Sequence, residues 1–338
     1  MTSSPEASPP RWLLYLKALR AFSFPISLLP VLVGVAAVRP PNRWNLGILA
    51  AELAGVLFLH AGGNLVNDVC DYRSGADRRT HDDENRPGRF LVRGELQPGE
   101  LLAEACLCFL LFVPCLLYLL LRVGPGILAF GAIGLFGAWA YTAPPFNLKY
   151  RALGELAIFV VFGPALVLGA AYAQTGRLEL EAFLFSLPVG CATAAVLAGN
   201  NLRDAEEDAG ARIRTLAHVI GAAAQKRFYV TLVVTAVALA PTLGFLRHRA
   251  PLVLCAAPLT LLSLAPTLRA LARGKRIPDI DAKTARFATL LYLLIALGLA
   301  VSTPYPPPNT ATRNPDPLPR VTQQTANKNE RLTQIALP

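Results

Sequence analysis

Long apolar stretches separated by short polar segments dominate the pattern along this chain. The hydrocarbon core of a bilayer is about 30 Å thick and takes roughly 20 apolar residues in a helix. Nine stretches approach that length, with boundaries predicted at 21–38, 46–66, 101–121, 126–141, 154–173, 181–199, 228–246, 251–268 and 285–302. The pattern therefore predicts an all-α, polytopic membrane protein with nine transmembrane helices.

The composition agrees with lipid as the main solvent of the chain. Hydrophobic residues make up 54% of it and charged residues only 16%, whereas soluble domains carry about 25% charged residues. The two ends differ from the rest, because residues 1–10 and 303–338 are polar and rich in proline. Such segments bury too little apolar surface to fold. We expect two disordered tails around one membrane domain at residues 11–302.

The distribution of lysine and arginine predicts the orientation in the membrane. Most of the 32 basic residues fall in the segments that become cytoplasmic when the N-terminus is inside. This asymmetry follows the positive-inside rule and predicts a cytoplasmic N-terminus and an external C-terminus. The same bias, together with an anionic lipid surface, accounts for the net charge of +10 without a nucleic-acid partner.

A first group of amides and carboxylates follows the second apolar stretch. Asn67 and Asp71 are four residues apart, so a helix places them on one face, with Asp68 beside them. Asp77 follows after Gly75, where the chain is free to turn. On the predicted topology this group lies at the cytoplasmic end of its helix.

A second group follows the sixth apolar stretch. Asn200 or Asn201, Asp204 and Asp208 again recur at intervals of four residues and share a helix face. Both groups lie at the same predicted depth, at the cytoplasmic ends of even-numbered helices. Solvated loop residues would explain either group alone, but not two similar groups on the same side.

Two facing groups of carboxylates repel each other unless a cation holds them. Their hard oxygen atoms suit Mg²⁺, which completes its coordination with water and substrate phosphates. Further positive charge for phosphate oxygens is available from neighbouring arginines, namely Arg73, Arg78, Arg203, Arg212 and Arg214. The sequence therefore predicts a site that grips a diphosphate through Mg²⁺ and makes it a leaving group.

These residues resemble the two aspartate-rich motifs of the UbiA superfamily of intramembrane prenyltransferases. The first is Asn67-Asp-x-x-Asp71-x5-Asp77 with NRPGRFLVRGELQPGEL after it, and the second is Asn200-Asn-Leu-Arg-Asp204-x3-Asp208-x5-Arg214. The stretches YTAPPFNLKYRALGE at 141–155 and DIDAKTARFATLLYLLIALG at 279–298 are similar to the MenA branch, which prenylates 1,4-dihydroxy-2-naphthoate in menaquinone biosynthesis. The resemblance covers residues 10–302.

The resemblance implies a fold, a reaction and a set of site residues. It implies nine helices around a central cavity and Mg²⁺-dependent ionisation of a prenyl diphosphate, whose prenyl group passes to a small aromatic acceptor. The metal ligands would be Asn67, Asp71, Asp77, Asp204 and Asp208. Asp71, Asp204 and Lys149 would be catalytic. The substrate-binding residues would be Asn67, Asp68, Asn200, Asn201, Arg203, Tyr141 and Arg214.

Two kinds of alternative stay open at this point. Within the same superfamily, the acceptor could be 4-hydroxybenzoate, homogentisate or haem instead of the naphthoate. In a different class, polar residues in a bundle with a hint of internal repetition would also be typical of a cation-coupled transporter. Transporter sites usually lie near the middle of the membrane on broken helices, whereas these carboxylates are predicted at its cytoplasmic edge.

Glu52 and His60 lie inside the second apolar stretch, where ionisable residues are candidates for function. Glu52 is 19 residues before Asp71, about 28 Å of helix, and is expected to have a structural or interfacial role. His60 is either part of the cavity or packed between helices.

Overall fold

The computed structural model describes residues 10–38, 41–75, 90–208, 215–248 and 251–302. The two predicted tails, at residues 1–10 and 303–338, therefore lie almost entirely outside the described residues. Within the described part the regular structure is helical, as predicted. The α-helices are α1 Arg11–Ala18, α2 Pro25–Val38, α3 Leu46–Ser74, α4 Pro98–Val123, α5 Ile127–Ala140, α6 Gly154–Val160, α7 Leu166–Thr175, α8 Leu180–Asp208, α9 Leu216–Ile220, α10 Ala222–Leu246, α11 Pro251–Ala272 and α12 Ile280–Val301.

Six of the described helices, or continuous helix pairs, are long and apolar enough to cross a membrane. They are α3, α4, the joined α6 and α7, α8, α10 and α12. A seventh span results if α1 and α2, which meet at an angle of 47°, count as one bent helix. Shorter apolar helices occupy Ile127–Ala140 and Pro258–Ala272. The chain is an integral membrane protein by these criteria, and the number nine remains a prediction.

Helix α3 starts at the predicted residue, and it extends beyond the predicted apolar span in a way that matters for function. At its start, the side chain of Asn45 accepts a hydrogen bond of 3.2 Å from the backbone N–H of Ile48 and caps the helix. At its end, Gly75 adopts the left-handed conformation with a φ of 80° that terminates many helices. The apolar pattern predicted a span at 46–66, but the helix continues to Ser74 and carries the polar group on its last two turns.

The second polar group is carried in the same way. The predicted span at 181–199 continues as helix α8 to Asp208. The apolar pattern ends where lipid ends, whereas the hydrogen bonds of a helix continue through polar residues. Both groups therefore lie on rigid helix ends instead of loops.

The core of the bundle is packed through small side chains. Helix α8 packs against α10, α12 and α2, and among its described residues it buries five alanines: Ala182, Ala192, Ala194, Ala195 and Ala198. In helix α2, Gly34 lies so close to α7 that a Cβ atom there would overlap the carbonyl oxygen of Val167. Small residues allow membrane helices to approach and gain van der Waals contact, which replaces the hydrophobic driving force of water.

A cavity of about 1550 Å³ lies among these helices. Its wall includes a continuous stripe of α3 that runs from Glu52 to Asp71, and it is completed by residues of α2, α5, α8 and α12. Most of the wall is apolar, and charged side chains gather near the Asp71 end. The fold thus connects a polar end with a long apolar compartment.

Candidate active site

The last turns of α3 bring Asn67 and Asp71 to the wall of the cavity. The four-residue spacing places them on one face, as predicted, and Asn67 Nδ2 donates a hydrogen bond of 3.0 Å to Asp71 Oδ2. The side chain of Asp71 is only 10% exposed. Its carboxylate is therefore a largely buried negative charge that faces the cavity.

The segment between α5 and α6 supplies a cation to this carboxylate. Lys149 Nζ lies 2.8 and 2.7 Å from the two oxygens of Asp71 and 3.4 Å from Asn67 Oδ1. The hydroxyl of Tyr150 donates to Asp71 Oδ1. The segment is held in place because the backbone N–H of Lys149 donates 2.8 Å to the carbonyl of Tyr141. Tyr141 itself lines the cavity, so the structure brings Asn67, Asp71, Tyr141 and Lys149 together at one end of it.

Burial and the nearby negative charge shift the pKa of Lys149 in opposite directions. Burial alone would lower the pKa of Lys149, but the carboxylate of Asp71 outweighs it and raises the pKa well above its usual value. Burial also raises the pKa of Tyr150. Both groups therefore keep their protons near neutral pH, so that Lys149 is a fixed positive charge and Tyr150 a hydrogen-bond donor.

Asp68 is the carboxylate of the first motif that has a different partner. It is completely buried and forms an ion pair with Arg20, which stands at the break between α1 and α2. Arg20 takes the left-handed conformation there, with a φ of 56°. Arg20 lines the cavity, whereas Asp68 is not part of its wall. The position of Asp68 is thus that of a residue that holds Arg20 in place.

The end of α8 forms the second half of the site. Asn200, Arg203 and Asp204 all line the cavity. Arg203 Nε lies 2.7 Å from Asp204 Oδ1, and its Nη2 donates 2.5 Å to Asn200 Oδ1. On the other side, Arg203 Nη1 forms an ion pair of 2.5 Å with Asp281, in the first turn of α12. The guanidinium is therefore fixed between carboxylates from two helices.

Asn201 is also part of the wall, but its amide is engaged elsewhere. Its Nδ2 donates 2.9 Å to Glu155 Oε1, and Gln225 Nε2 donates 3.3 Å to the same oxygen. All three side chains are buried. This network ties α8 to α6 and α10 and fixes the orientation of the helix end that carries Asp204.

Three predicted site residues are not placed by the structure. Asp77 and Arg214 lie outside the described residues, and Asp208 is the last residue of α8 but its side chain is outside the described part. Their assignment as metal or substrate ligands stays a prediction. By contrast, the last turns of α3 and α8 line one cavity, through Asn67 and Asp71 from the first motif and Asn200, Asn201, Arg203 and Asp204 from the second, whereas Asp68 does not line it.

Three residues in the site were missed by the sequence analysis. Arg20 precedes the first apolar stretch, Tyr150 follows Lys149 directly, and Asp281 begins the last helix. A charged residue at the end of an apolar stretch was a usable signal for Arg20 and Asp281. The pairing of each with a motif residue depends on tertiary packing and has no local signature.

The donor atoms fit Mg²⁺ in chemical type. Asn67 and Asp71 from α3, and Asn200 and Asp204 from α8, present hard carboxylate and amide oxygens to one cavity. Within the described residues, no group of three or more His, Cys, Asp or Glu side chains is close enough to form a complete metal cage. Mg²⁺ in proteins typically uses one or two carboxylates and takes its other ligands from water and phosphate.

Glu52 and His60 also lie on the wall, farther along α3. Glu52 is buried and contacts Gln174. The amide oxygen of Gln174 in turn accepts a hydrogen bond of 2.9 Å from the backbone N–H of Asn45. This contact agrees with the expected structural role. His60 was expected either to line the cavity or to pack between helices, and it does both: it is part of the wall and contacts residues outside α3.

Comparison with known sequences gives matches over most of the chain. The model of the UbiA prenyltransferase family matches residues 27–291. The mouse UbiA prenyltransferase domain-containing protein 1 is 33% identical over 298 residues, which cover 85% of this chain and 84% of that protein. The 1,4-dihydroxy-2-naphthoate octaprenyltransferase of Mycobacterium tuberculosis is 32% identical over 281 residues, covering 82% of this chain and 94% of that protein.

Comparison with solved structures supports the fold. A UbiA homologue from Archaeoglobus fulgidus, bound to GPP and Mg²⁺, superposes with a TM-score of 0.62. It is 16% identical, and the match covers 85% of this chain and 99% of that one. At this identity the likeness concerns the fold alone.

Proposed function

Since the chain belongs to the UbiA prenyltransferase family, we propose that it transfers a polyprenyl group from a prenyl diphosphate to 1,4-dihydroxy-2-naphthoate. The transfer would depend on Mg²⁺, release carbon dioxide and form a precursor of menaquinone. The observation that carries this proposal is a cavity with oxygen ligands and fixed cations at one end and apolar walls along the rest. A prenyl diphosphate has the same division into a charged head and an apolar tail.

The diphosphate belongs at the polar end, between the last turns of α3 and α8. Asn67, Asp71, Asn200 and Asp204 would hold Mg²⁺ there, with Asp77 and Asp208 as further ligands. The bound metal would supply positive charge that neutralises the diphosphate and makes it a better leaving group. We assign Lys149 and Arg203 to the phosphate oxygens, because both are cations fixed on the cavity wall.

In the reaction, the bond between the allylic carbon and the diphosphate oxygen breaks, and the electron pair leaves with the diphosphate. The fixed charges of Lys149 and Arg203 stabilise the departing oxygen without reorganisation during the reaction. The ring carbon that bears the carboxylate attacks the allylic carbon within a few Å. Carbon dioxide then leaves, and its bonding electrons restore the aromatic ring. The apolar wall excludes water that would otherwise quench the cationic carbon.

The identity of the acceptor is supported by two observations. The relative from Mycobacterium tuberculosis is named for transfer to 1,4-dihydroxy-2-naphthoate and matches over nearly its whole length. The segment at 141–155, which is similar to the naphthoate branch, places Tyr141 on the cavity wall and Lys149 on Asp71. The transporter hypothesis is not retained, because the family consists of prenyltransferases.

We further propose the topology and domain limits from the charge pattern and the described helices. The transferase domain would extend over residues 11–302, with the N-terminus and both aspartate motifs on the cytoplasmic side. The C-terminus would then be external. The diphosphate head group and the acceptor would reach the polar end from the cytoplasmic side. The prenyl tail of the same substrate would enter the apolar compartment and border the bilayer.

The test is an assay of the purified full-length chain in liposomes with Mg²⁺ and a long-chain prenyl diphosphate. Three acceptors are offered in parallel, 1,4-dihydroxy-2-naphthoate, 4-hydroxybenzoate and homogentisate, and mass spectrometry follows the product. We expect a prenylated and decarboxylated naphthalenediol that disappears when EDTA removes the metal. Product from another acceptor only would refute the naphthoate assignment and keep the reaction type. A folded protein that prenylates none of the three would refute the proposal as stated.

A further inference from the structure

A group of uncharged polar side chains lines the cavity beyond the site of the aspartates. It consists of Ser23, Ser27, His60 and Asn64, and we refer to it as the inner polar pocket. His60 Nδ1 lies 2.7 Å from Ser27 Oγ, and His60 Nε2 lies 3.2 Å from Ser23 Oγ. Asn64 Nδ2 donates 3.3 Å to Ser23 Oγ. The four side chains form one connected network.

The inner polar pocket is aligned with the aspartate end of the cavity. His60, Asn64, Asn67 and Asp71 are separated by four, three and four residues, so they follow one face of α3. Asn64 lies about 10 Å and His60 about 16 Å from Asp71 along the helix axis. A substrate held at the inner pocket would therefore lie between the diphosphate end and the apolar end.

The surroundings of His60 are aromatic. The ring of Phe24 contacts it edge-on at a centroid distance of 5.6 Å, and Phe162 does so at 5.8 Å. Phe162 also lines the cavity. Aromatic rings in these edge-on arrangements attract one another beyond the gain from buried area. A flat aromatic molecule would find both ring contacts and hydrogen-bonding groups at this position.

The hydrogen-bonding groups themselves are suited to hydroxyl groups. Serine hydroxyls donate and accept, a neutral imidazole has one donor and one acceptor, and an amide offers both. Asn64 uses only its NH₂ group in the contacts described, to Ser23 Oγ and to the carbonyl of Leu19 at 3.2 Å. Ser23 Oγ and Ser27 Oγ already donate 2.8 and 3.0 Å to the backbone carbonyls of Arg20 and Phe24. A phenol would therefore join this network chiefly as a donor, to the amide oxygen of Asn64 or to the unprotonated nitrogen of His60.

We propose that the inner polar pocket binds the hydroxyl groups of the aromatic acceptor, with His60 as its central contact. This inference rests on the proposed function and adds the place and the chemical class of the second substrate, a hydroxylated aromatic ring. The charged residues at the other end of the cavity would bind the diphosphate. The prenyl tail would fit this pocket poorly, because polar groups buried against hydrocarbon lose their hydrogen bonds with water.

The test compares two substitutions of His60 by equilibrium binding and by kinetics, with the full-length chain. His60→Phe keeps an aromatic ring and removes both nitrogen atoms, whereas His60→Gln keeps a donor and an acceptor. The probes are 1,4-dihydroxy-2-naphthoate and the prenyl diphosphate, each titrated with the other absent and then together in steady-state assays. His218→Phe is the matched control, because His218 is half-buried and is not part of the cavity wall.

We expect His60→Phe to raise Kd and KM for the acceptor about tenfold or more, the usual effect of a hydrogen bond lost in a buried site. The Kd for prenyl diphosphate should stay within about twofold of wild type. His60→Gln should recover most of the acceptor affinity, and His218→Phe should leave both affinities unchanged. If His60→Phe does not fold, Ser27→Ala removes the 2.7 Å partner of His60 with little change in volume and is expected to weaken acceptor binding alone.

Three results would overturn the inference. Equal losses of affinity for both substrates, or lowered thermal stability with unchanged acceptor affinity, would show that His60 is a packing residue. A loss confined to the prenyl diphosphate would assign the pocket to the prenyl tail. The proposed function is tested separately by product formation in the wild type. A wild-type enzyme that transfers prenyl groups while its His60 variants bind the acceptor normally would thus refute the pocket and leave the function intact.

Discussion

Asp68 and Asp71 are nearly one helical turn apart on α3 and allow a matched test of which carboxylate takes part in the reaction. Asp71 faces the cavity and contacts Lys149 at 2.7 Å, whereas Asp68 is fully buried behind it and pairs with Arg20. Replacement of either by asparagine keeps the size of the side chain and removes its charge. We predict that Asp71→Asn mainly lowers the rate and that Asp68→Asn mainly lowers the stability.

The expected loss of rate for Asp71→Asn follows from its proposed contact with the reacting diphosphate. Removal of one preorganised electrostatic contact from an active site typically lowers kcat about 10²–10³-fold, or roughly 3–4 kcal/mol. Asp68 acts only through Arg20, and loss of an indirect partner of this kind typically lowers activity about 10–100-fold, a smaller effect than loss of a direct contact. The two variants should therefore differ in kcat by about one order of magnitude.

For stability we expect the opposite order, with Asp68→Asn losing more folding free energy than Asp71→Asn. Asp68 has no exposed surface, and loss of one partner from a buried ion pair typically costs about 3–5 kcal/mol. The side chains of Asp71 and Lys149 are 10% and 16% exposed and border the cavity. Water there compensates part of the loss, so that Asp71→Asn should cost about 1–3 kcal/mol.

Both quantities are measured on the same detergent-solubilised preparations. Thermal unfolding gives the change in Tm, and single-turnover kinetics with saturating Mg²⁺ and substrates give the rate of transfer. Rates are compared only at temperatures where both variants are folded. An equal loss of rate in the two variants, or a greater loss in Asp68→Asn, would show that orientation toward the cavity does not distinguish the two carboxylates.

Three further predictions concern residues around the site and in the bundle. Asp281→Asn releases one side of Arg203, and we expect KM for the prenyl diphosphate to rise severalfold with a small change in kcat in steady-state assays. Lys149→Gln should lower single-turnover rates about 10²-fold or more, and Lys149→Arg should recover part of the loss because the charge is kept. Gly34→Ala should cost about 1–3 kcal/mol in thermal unfolding because its Cβ overlaps a neighbouring helix. The same change at exposed Gly99, where a Cβ meets nothing within 4 Å, should be neutral or slightly stabilising.

The helical fold could be predicted from the sequence because lipid imposes a strong and local rule. Each spanning segment has to be apolar over about 20 residues and satisfy its own backbone hydrogen bonds. The described helices therefore coincide with the apolar stretches. The apolar span was predicted to end at residue 66, while the spacing of Asn67 and Asp71 and the glycine at 75 predicted that the helix continues past it, and α3 does continue to Ser74. Helix ends depend on capping, and Gly75 was the visible signal.

Only those contacts of the site that lie within a single helix could be predicted from the sequence. The spacing of Asn67 and Asp71 gave a shared face and a direct hydrogen bond, and both are present. The pairing of Asp68 with Arg20 and of Arg203 with Asp281 could not be predicted, because each pair joins helices far apart in sequence. The sequence also placed Asp68 with the substrate-binding residues, whereas the structure places its carboxylate on Arg20.

The charge balance of the polar end gives a physical reason for a divalent cation. Among the described residues, five acidic and five basic side chains lie at or beside this end: Asp68, Asp71, Asp204, Asp279 and Asp281 against Arg20, Lys149, Arg203, Arg276 and Arg286. The fixed cations already contact carboxylates, as Lys149 does with Asp71 and Arg203 with Asp204. A diphosphate would add several negative charges to a largely buried site, where uncompensated charge is very costly.

Mg²⁺ would remove that cost by binding the carboxylate and phosphate oxygens together. Lys149 and Arg203 lie on the cavity wall beside these carboxylates and would add their positive charge to that of the metal. On this argument, metal and diphosphate should bind with strong mutual dependence. Calorimetric titration with prenyl diphosphate should show binding at least tenfold tighter in Mg²⁺ than in EDTA, a coupling of about 1.4 kcal/mol. Equal affinity in the two conditions would show that the fixed cations alone balance the diphosphate.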